Sequence, residues 1–138
     1  MRLIVDANII FSALIKDGLA RKIVFAPELE LYSPRYLTLE IHAHLPEILK
    51  KSKLSDEKLS RVSNLILSQI IMIEDKQITP FYPAAISLIA DENDRPYFAA
   101  ALAIGSDVWS QDNDFSNQTR VKIWKTKELA EKLEYVKS

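Results

Sequence analysis

Cysteine is absent from this sequence of 138 residues, and glycine and proline are scarce, with 2 and 6 copies. The absence of cysteine excludes disulfide bonds, thiolate zinc sites and thiol catalysis, and it fits a reducing compartment. So little glycine and proline leaves no material for a long flexible linker or a low-complexity tail. With 48% hydrophobic residues, the chain is expected to form one domain over residues 1–138 around a single core.

Long hydrophobic runs and an excess of charge of one sign are absent as well. No apolar run approaches the roughly 20 residues that a membrane span needs. Asp6 interrupts the first apolar stretch, which disfavours a signal peptide, so the sequence predicts a cytoplasmic protein. The net charge of −1 provides no overall positive field, so any binding of nucleic acid would depend on local patches.

Short apolar runs alternate along the chain with segments of helical periodicity. The runs predict strands at 2–6, 29–32, 71–73, 107–110 and 121–126. Helices are predicted at 8–16, 18–26, 34–50, 55–70, within 76–90, at 94–104 and at 127–136, with Ser33 and Pro34 starting the third of them. This alternation predicts an α/β fold with three layers, α/β/α, and a mostly parallel central sheet of about five strands.

Carboxylates follow two of the predicted strands at the point where each strand ends. Asp6 ends the first strand, and Asp112 and Asp114 follow the fourth in the segment WSQDNDF. A turn residue that closes a strand is the simplest explanation of Asp6 alone. Right-handed crossovers, however, place the carboxyl ends of parallel strands along one edge of the sheet. We therefore expect these acids to meet there, although they are far apart in the sequence.

Three further acids are candidates for the same edge. Asp91 and Asp94 lie at the start of the Ala-rich helix, where either one alone could be an N-cap. Glu40 lies between apolar positions of the third helix, although a glutamate on a helix is usually a solvated surface residue. Four or five carboxylates in one pocket repel each other unless a cation is bound or some of them stay protonated. Oxygen ligands without cysteine or paired histidine favour Mg²⁺ or Mn²⁺ over zinc.

Three features of the sequence resemble the PIN-domain nucleases, many of which are ribonuclease toxins of the VapC type. They are VDANIIFSAL, the mid-helix Glu40 and DENDRPYFAAALAIGSDVWSQDNDF. The resemblance covers almost the whole chain and implies a PIN-like fold. The residues that it implies are the four catalytic and metal-binding acids Asp6, Glu40, Asp94 and Asp112, an additional metal ligand Asp114, and the supporting residues Asn8 and Ser110. Asp91, which the family pattern does not include, is predicted as a further supporting residue. Asn8 would orient Asp6, and Asp91 is an alternative to Asp94 as the third ligand.

The same resemblance implies a function and partners. Family members use Mg²⁺ or Mn²⁺ and a metal-activated water to cleave single-stranded RNA, often as homodimers, and the toxins are silenced by a cognate antitoxin protein. The apolar faces of helices 34–50 and 55–70 also favour a homodimer. The alternatives are a catalytically silent PIN-like module that binds RNA or protein, and a phosphoacceptor domain of the response-regulator type. The latter requires an acid pair after the first strand, where this sequence has only Asp6.

An acidic pocket cannot attract RNA by itself, so basic residues near the pocket are candidates for binding phosphate groups. The densest basic run is KKSK, which contributes Lys50, Lys51 and Lys53. The alternative explanation is a solvated helix end, where cations are favourably placed near the C-terminus. Arg35 and Arg95 are further candidates for RNA binding because each flanks a segment that carries predicted site residues.

Overall fold

A five-stranded sheet, parallel throughout, forms the centre of the computed structural model, which describes residues 1–136. The strands are β1 (Arg2–Val5), β2 (Glu30–Pro34), β3 (Ile70–Ile73), β4 (Asp107–Trp109) and β5 (Ile123–Trp124). Their order in the sheet is β3-β2-β1-β4-β5, and every pair of neighbours is parallel. The predicted fold class is therefore confirmed, and the carboxyl ends of all five strands lie at one edge.

Helices cover both faces of this sheet. They are α1 (Ala7–Ile15), α2 (Leu19–Val24), α3 (Tyr36–Ser52), α4 (Asp56–Leu67), α5 (Asp75–Ile78), α6 (Tyr82–Leu88), α7 (Arg95–Ile104) and α8 (Thr126–Lys132). One layer is built around α1, which contacts α2, α3 and α4. The other is built around α7, which contacts β1, β2 and β4 and carries α5 and α6 beside it. Among residues 1–136, no helix combines the length and the apolar character that crossing a membrane requires.

The core is organised around the central strand β1 and the Ala-rich helix α7. Leu3, Ile4 and Val5 are completely buried, as expected for a continuously apolar strand covered on both faces. In α7 the buried residues 99–101 are all alanine, and these small side chains let the helix pack closely onto the sheet. Gly105 ends α7 with a positive φ of 64°, a conformation that glycine adopts without strain.

Several predicted element boundaries differ from the structure, and two of the differences have a local physical cause. Ser33 and Pro34 belong to β2 rather than to the start of α3, because they pair with β3 and the Ser33 hydroxyl donates to the Val5 carbonyl. Strand β5 has only two residues, since the Gln118 side chain bonds both the N–H and the carbonyl of Val121 where a longer strand was expected. The segment before α6 forms α5 and a 3₁₀ turn at Thr79–Phe81.

Candidate metal centre

Two neighbouring strands bring Asp6 and Ser110 together. Asp6 directly follows β1, and its backbone N–H donates to the carbonyl of Trp109, the last residue of β4. The next residue, Ser110, is completely buried and its hydroxyl donates to Asp6 Oδ2 over 2.9 Å. Parallel pairing of β1 with β4 therefore fixes the position of the Asp6 carboxylate.

The loop after β4 is held by hydrogen bonds that begin at the same serine. The backbone N–H of Asp112 donates to Ser110 Oγ over 3.0 Å, and that of Asp114 donates to Asp112 Oδ1 over 2.9 Å. Ser110 thus donates to one acid and accepts from the backbone of another. This arrangement holds Asp112 close enough to Asp6 for its charge to raise the pKa of Asp6.

Removal of the Ser110 hydroxyl is expected to destabilise the protein in a pH-dependent way. In Ser110→Ala, a buried oxygen of Asp6 loses its donor, so the free energy of unfolding should fall by about 2 kcal/mol at pH 8. The loss should be smaller at pH 5, where Asp6 is protonated. Urea unfolding in EDTA measures both values. Ser106→Ala is the matched control, because within the described part of the chain the Ser106 hydroxyl donates only to the adjacent Asp107 carbonyl. Equal losses in the two variants would contradict the prediction.

Asp94 occupies the N-cap position of α7 without capping it. A carboxylate at an N-cap normally accepts a backbone N–H of the first turn, but the Asp94 side chain makes no such bond. The residue is only 8% exposed, and its buried Oδ2 has no hydrogen-bond partner among the described residues. Burial, followed by the charges of Asp112 and Asp6, raises the pKa of Asp94 to about 7.

Asp91 and Asp114 form a group of three carboxylates with Asp94. One carboxylate oxygen from each of Asp91, Asp94 and Asp114 lies within 4.8 Å of the other two. The sequence left Asp91 and Asp94 as alternatives for the third metal ligand and assigned Asp91 a supporting position next to the ligands. The structure instead places both acids side by side, since Asp91 accepts the Asn93 backbone N–H in a tight turn that leads into Asp94.

Glu40 approaches the cluster from α3, half-buried, and accepts a hydrogen bond of 2.5 Å from the Tyr97 hydroxyl. Burial raises the pKa of Glu40, and this hydrogen bond partly offsets the rise. Burial likewise raises the pKa of Asp6 to about 6; the Ser110 hydrogen bond opposes this effect and the charge of Glu40 adds to it. Tyr97 was not among the predicted site residues. Its spacing of three residues from Asp94 on one helix was the available signal.

Comparison with known proteins identifies the family. A family model described as PIN domain matches residues 4–134. This chain belongs to the PIN-domain family. It is also similar to a crystal structure of VapBC2 from Rickettsia felis bound to a DNA fragment from their promoter, with a TM-score of 0.71 and 16% identity, covering 91% of this chain and 98% of that chain. At that identity the likeness shows a shared fold. Among curated proteins, none matches the chain.

The acids of this PIN domain have the chemical character of a site for a hard divalent cation. Each of these side chains offers carboxylate oxygens as metal ligands, and several of the carboxylates lie close to one another. A buried oxygen of Asp94 has no hydrogen-bond partner among the described residues. A cation would supply that partner and would offset the mutual repulsion. Membership of the family supports nuclease activity as the general function of the chain.

The other predicted residues of the PIN domain lie around this cluster with different surroundings. Asn8 is exposed beside a cleft between α1 and α3, and among the described residues no hydrogen bond joins it to Asp6; Ser110 provides that bond instead. The Arg95 guanidinium donates to the carbonyls of Ile89 and Ala90. Arg95 therefore holds the loop that carries Asp91, and its contact with RNA stays a prediction.

The remaining basic candidates are at the surface. Arg35 forms an ion pair of 2.7 Å with Glu74, and Lys51 forms one of 2.7 Å with Glu47. Lys50 and Lys53 are exposed at the C-terminal end of α3. Ion pairs as exposed as these contribute little to stability and can exchange their partners, so Arg35 and the three lysines stay candidates for binding phosphate.

Proposed function

We propose that this chain is a metal-dependent ribonuclease that hydrolyses phosphodiester bonds of single-stranded RNA with Mg²⁺ or Mn²⁺. The observation that carries the proposal is the buried, unpartnered Asp94 oxygen within a group of carboxylates at the sheet edge. Uncompensated acids in such a place are costly, and they are retained where a cation uses them. PIN-domain membership supports hydrolysis of nucleic acid as the use.

Each acid has a defined part in the proposed site. Asp6, Glu40, Asp94 and Asp112 would hold the cation together with Asp114, and Asp91 adds a carboxylate next to Asp94. A bound divalent cation supplies positive charge to the phosphoryl oxygens and lowers the pKa of a bound water. Ser110 keeps Asp6 in position, and Tyr97 keeps Glu40 in position, each through one hydrogen bond. Such fixed outer contacts orient metal ligands.

Cleavage is expected to depend completely on a divalent cation. Labelled single-stranded RNA should be cut in Mg²⁺ or Mn²⁺, remain intact in EDTA, and be cut again when the cation is restored in excess. Double-stranded RNA and single-stranded DNA of the same sequence serve as controls for the substrate class. Cleavage that persists in EDTA would contradict the metal dependence. Absence of cleavage across varied RNAs would favour the silent binding module.

We further propose an antitoxin protein and a second copy of the chain as partners. The similar VapBC2 structure supports a toxin–antitoxin role. A neighbouring gene for a DNA-binding protein that inhibits cleavage would be the direct sign of that role. A homodimer is supported by large apolar side chains that stay exposed on α3 and α4, with Leu39 at 66% and Leu65 at 61% exposure.

A further inference from the structure

A cavity lies next to the carboxylate cluster and shares a wall with it. The cavity, of about 480 Å³, opens between the start of α3 and the α5 segment. Its shared wall is Tyr36, whose hydroxyl donates to Asn93 Oδ1 over 2.8 Å, while the Asn93 backbone N–H donates to Asp91. The Tyr36 ring also lies 6.2 Å from that of Tyr97, which binds Glu40. A group in this cavity would therefore be adjacent to anything held by the acids.

The lining of the cavity combines aromatic surface with paired hydrogen-bonding groups. Tyr36 and Tyr82 are half-buried, and their rings provide flat apolar surface on which a base can stack. Arg35 provides donors. Its Nε–H and one amino group donate to Glu74, which orients the guanidinium, and its other N–H groups donate to no acceptor within residues 1–136. Asp75 provides acceptors, and its carboxylate accepts no hydrogen bond from residues 1–136.

We propose that this cavity is the base-binding pocket of the nuclease and that it takes a guanine of single-stranded RNA beside the cleaved phosphodiester. The inference rests on the proposed ribonuclease function and adds its specificity. Guanine places two adjacent donors, N1–H and the N2 amino group, opposite the two oxygens of Asp75. Its O6 and N7 are the acceptors that an arginine such as Arg35 prefers.

The other bases fit this donor and acceptor set less well. Adenine and cytosine each place a ring-nitrogen lone pair next to their amino group, so the Asp75 carboxylate would face an acceptor. Uracil offers a single N–H between two carbonyl oxygens, which the same carboxylate repels. Single-stranded RNA exposes these edges together with the base face, which is how proteins read unpaired bases.

The test is cleavage of four RNAs that differ in one central base. Wild type should cleave the guanine RNA with a kcat/KM on the order of tenfold above the other three, the discrimination typical of one bidentate base contact. Asp75→Asn should bring the four values close together. Asp17→Asn, which removes an equal charge from the exposed loop between α1 and α2, should keep the preference. Tyr82→Leu should raise KM for the guanine RNA, whereas Tyr82→Phe, which keeps the ring, should not.

The outcomes separate this inference from the ribonuclease function. Equal cleavage of all four RNAs, preference for another base, or an unchanged preference in Asp75→Asn would overturn the pocket assignment and leave the nuclease intact. If no RNA is cleaved, the ribonuclease proposal fails, and titration with guanosine monophosphate decides the pocket. The readout is the NMR shifts of the Ile78 and Thr79 methyl groups. The pocket assignment is supported if these shifts saturate, exceed those with uridine monophosphate and vanish in Asp75→Asn. Their absence would overturn it.

Discussion

Replacement of Asp94 by asparagine is expected to reduce RNA cleavage by at least about a hundredfold, because loss of a mere supporting partner of a metal ligand already costs 10- to 100-fold. Asp94 is the acid that the others surround: the charges of Asp112, Asp6, Asp91 and Asp114 all raise its pKa. It also has the buried oxygen that a cation would use. Initial rates in Mg²⁺ with labelled single-stranded RNA measure the loss.

The same substitution should leave the fold intact, which makes the activity loss interpretable. An asparagine at this N-cap position removes a buried charge and breaks no hydrogen bond within residues 1–136, because the Asp94 side chain does not cap α7 and its buried Oδ2 has no partner there. Thermal unfolding of the metal-free variant should therefore show no loss of stability. Asp6→Asn should also lose activity, and Asp17→Asn is the control that keeps it. Wild-type rates in Asp94→Asn would remove this residue from the site.

The metal-free protein is expected to lose stability as the pH rises from 5 to 8, and Mg²⁺ should restore it. The folded-state pKa values of Asp6 and Asp94, about 6 and about 7, lie above the value of about 3.9 for an unfolded aspartate. The folded state therefore binds more protons than the unfolded state in this range, so the free energy of unfolding falls with rising pH. The effect is complete once the pH exceeds both folded-state values.

The expected size of the change follows from the burial of Asp6. The shift in its pKa corresponds to a loss on the order of 2 to 3 kcal/mol between pH 4 and pH 8, with a further loss from Asp94. Urea unfolding at several pH values, in EDTA and in Mg²⁺, measures it. Asp6→Asn should show a shallower pH dependence than wild type. A stability that does not vary with pH in EDTA would mean that these acids stay fully solvated.

The central strand and its acid show how much the local sequence could predict. Leu3, Ile4 and Val5 read as a strand buried on both faces, and they are completely buried in β1. Because such strands alternate with helices, a parallel sheet followed, and with it the meeting of Asp6 and Asp112 at one edge. The end of α7 at Gly105 could also be predicted from the sequence, since it depends on the conformation of one glycine residue.

The partners of the site residues, in contrast, depend on contacts between distant segments. Tyr97 binds Glu40 across 57 positions of sequence and Ser110 binds Asp6 across 104, distances over which no periodicity operates. Asp114 joins Asp91 and Asp94 only because the loop after β4 folds back onto the start of α7. Arg95 was a surface candidate in the sequence and became the support of a loop in the structure.

The sequence by itself determined the α/β class, the parallel sheet and the edge at which the acids gather, because apolar periodicity and the handedness of crossovers are local rules. The tertiary structure alone decided which acid is buried without a partner, which hydroxyl groups hold the others, and that a cavity with an arginine and a carboxylate opens beside them. The physical reason is that burial and hydrogen bonding of a side chain are set by the segments packed around it, and those segments come from all parts of the chain.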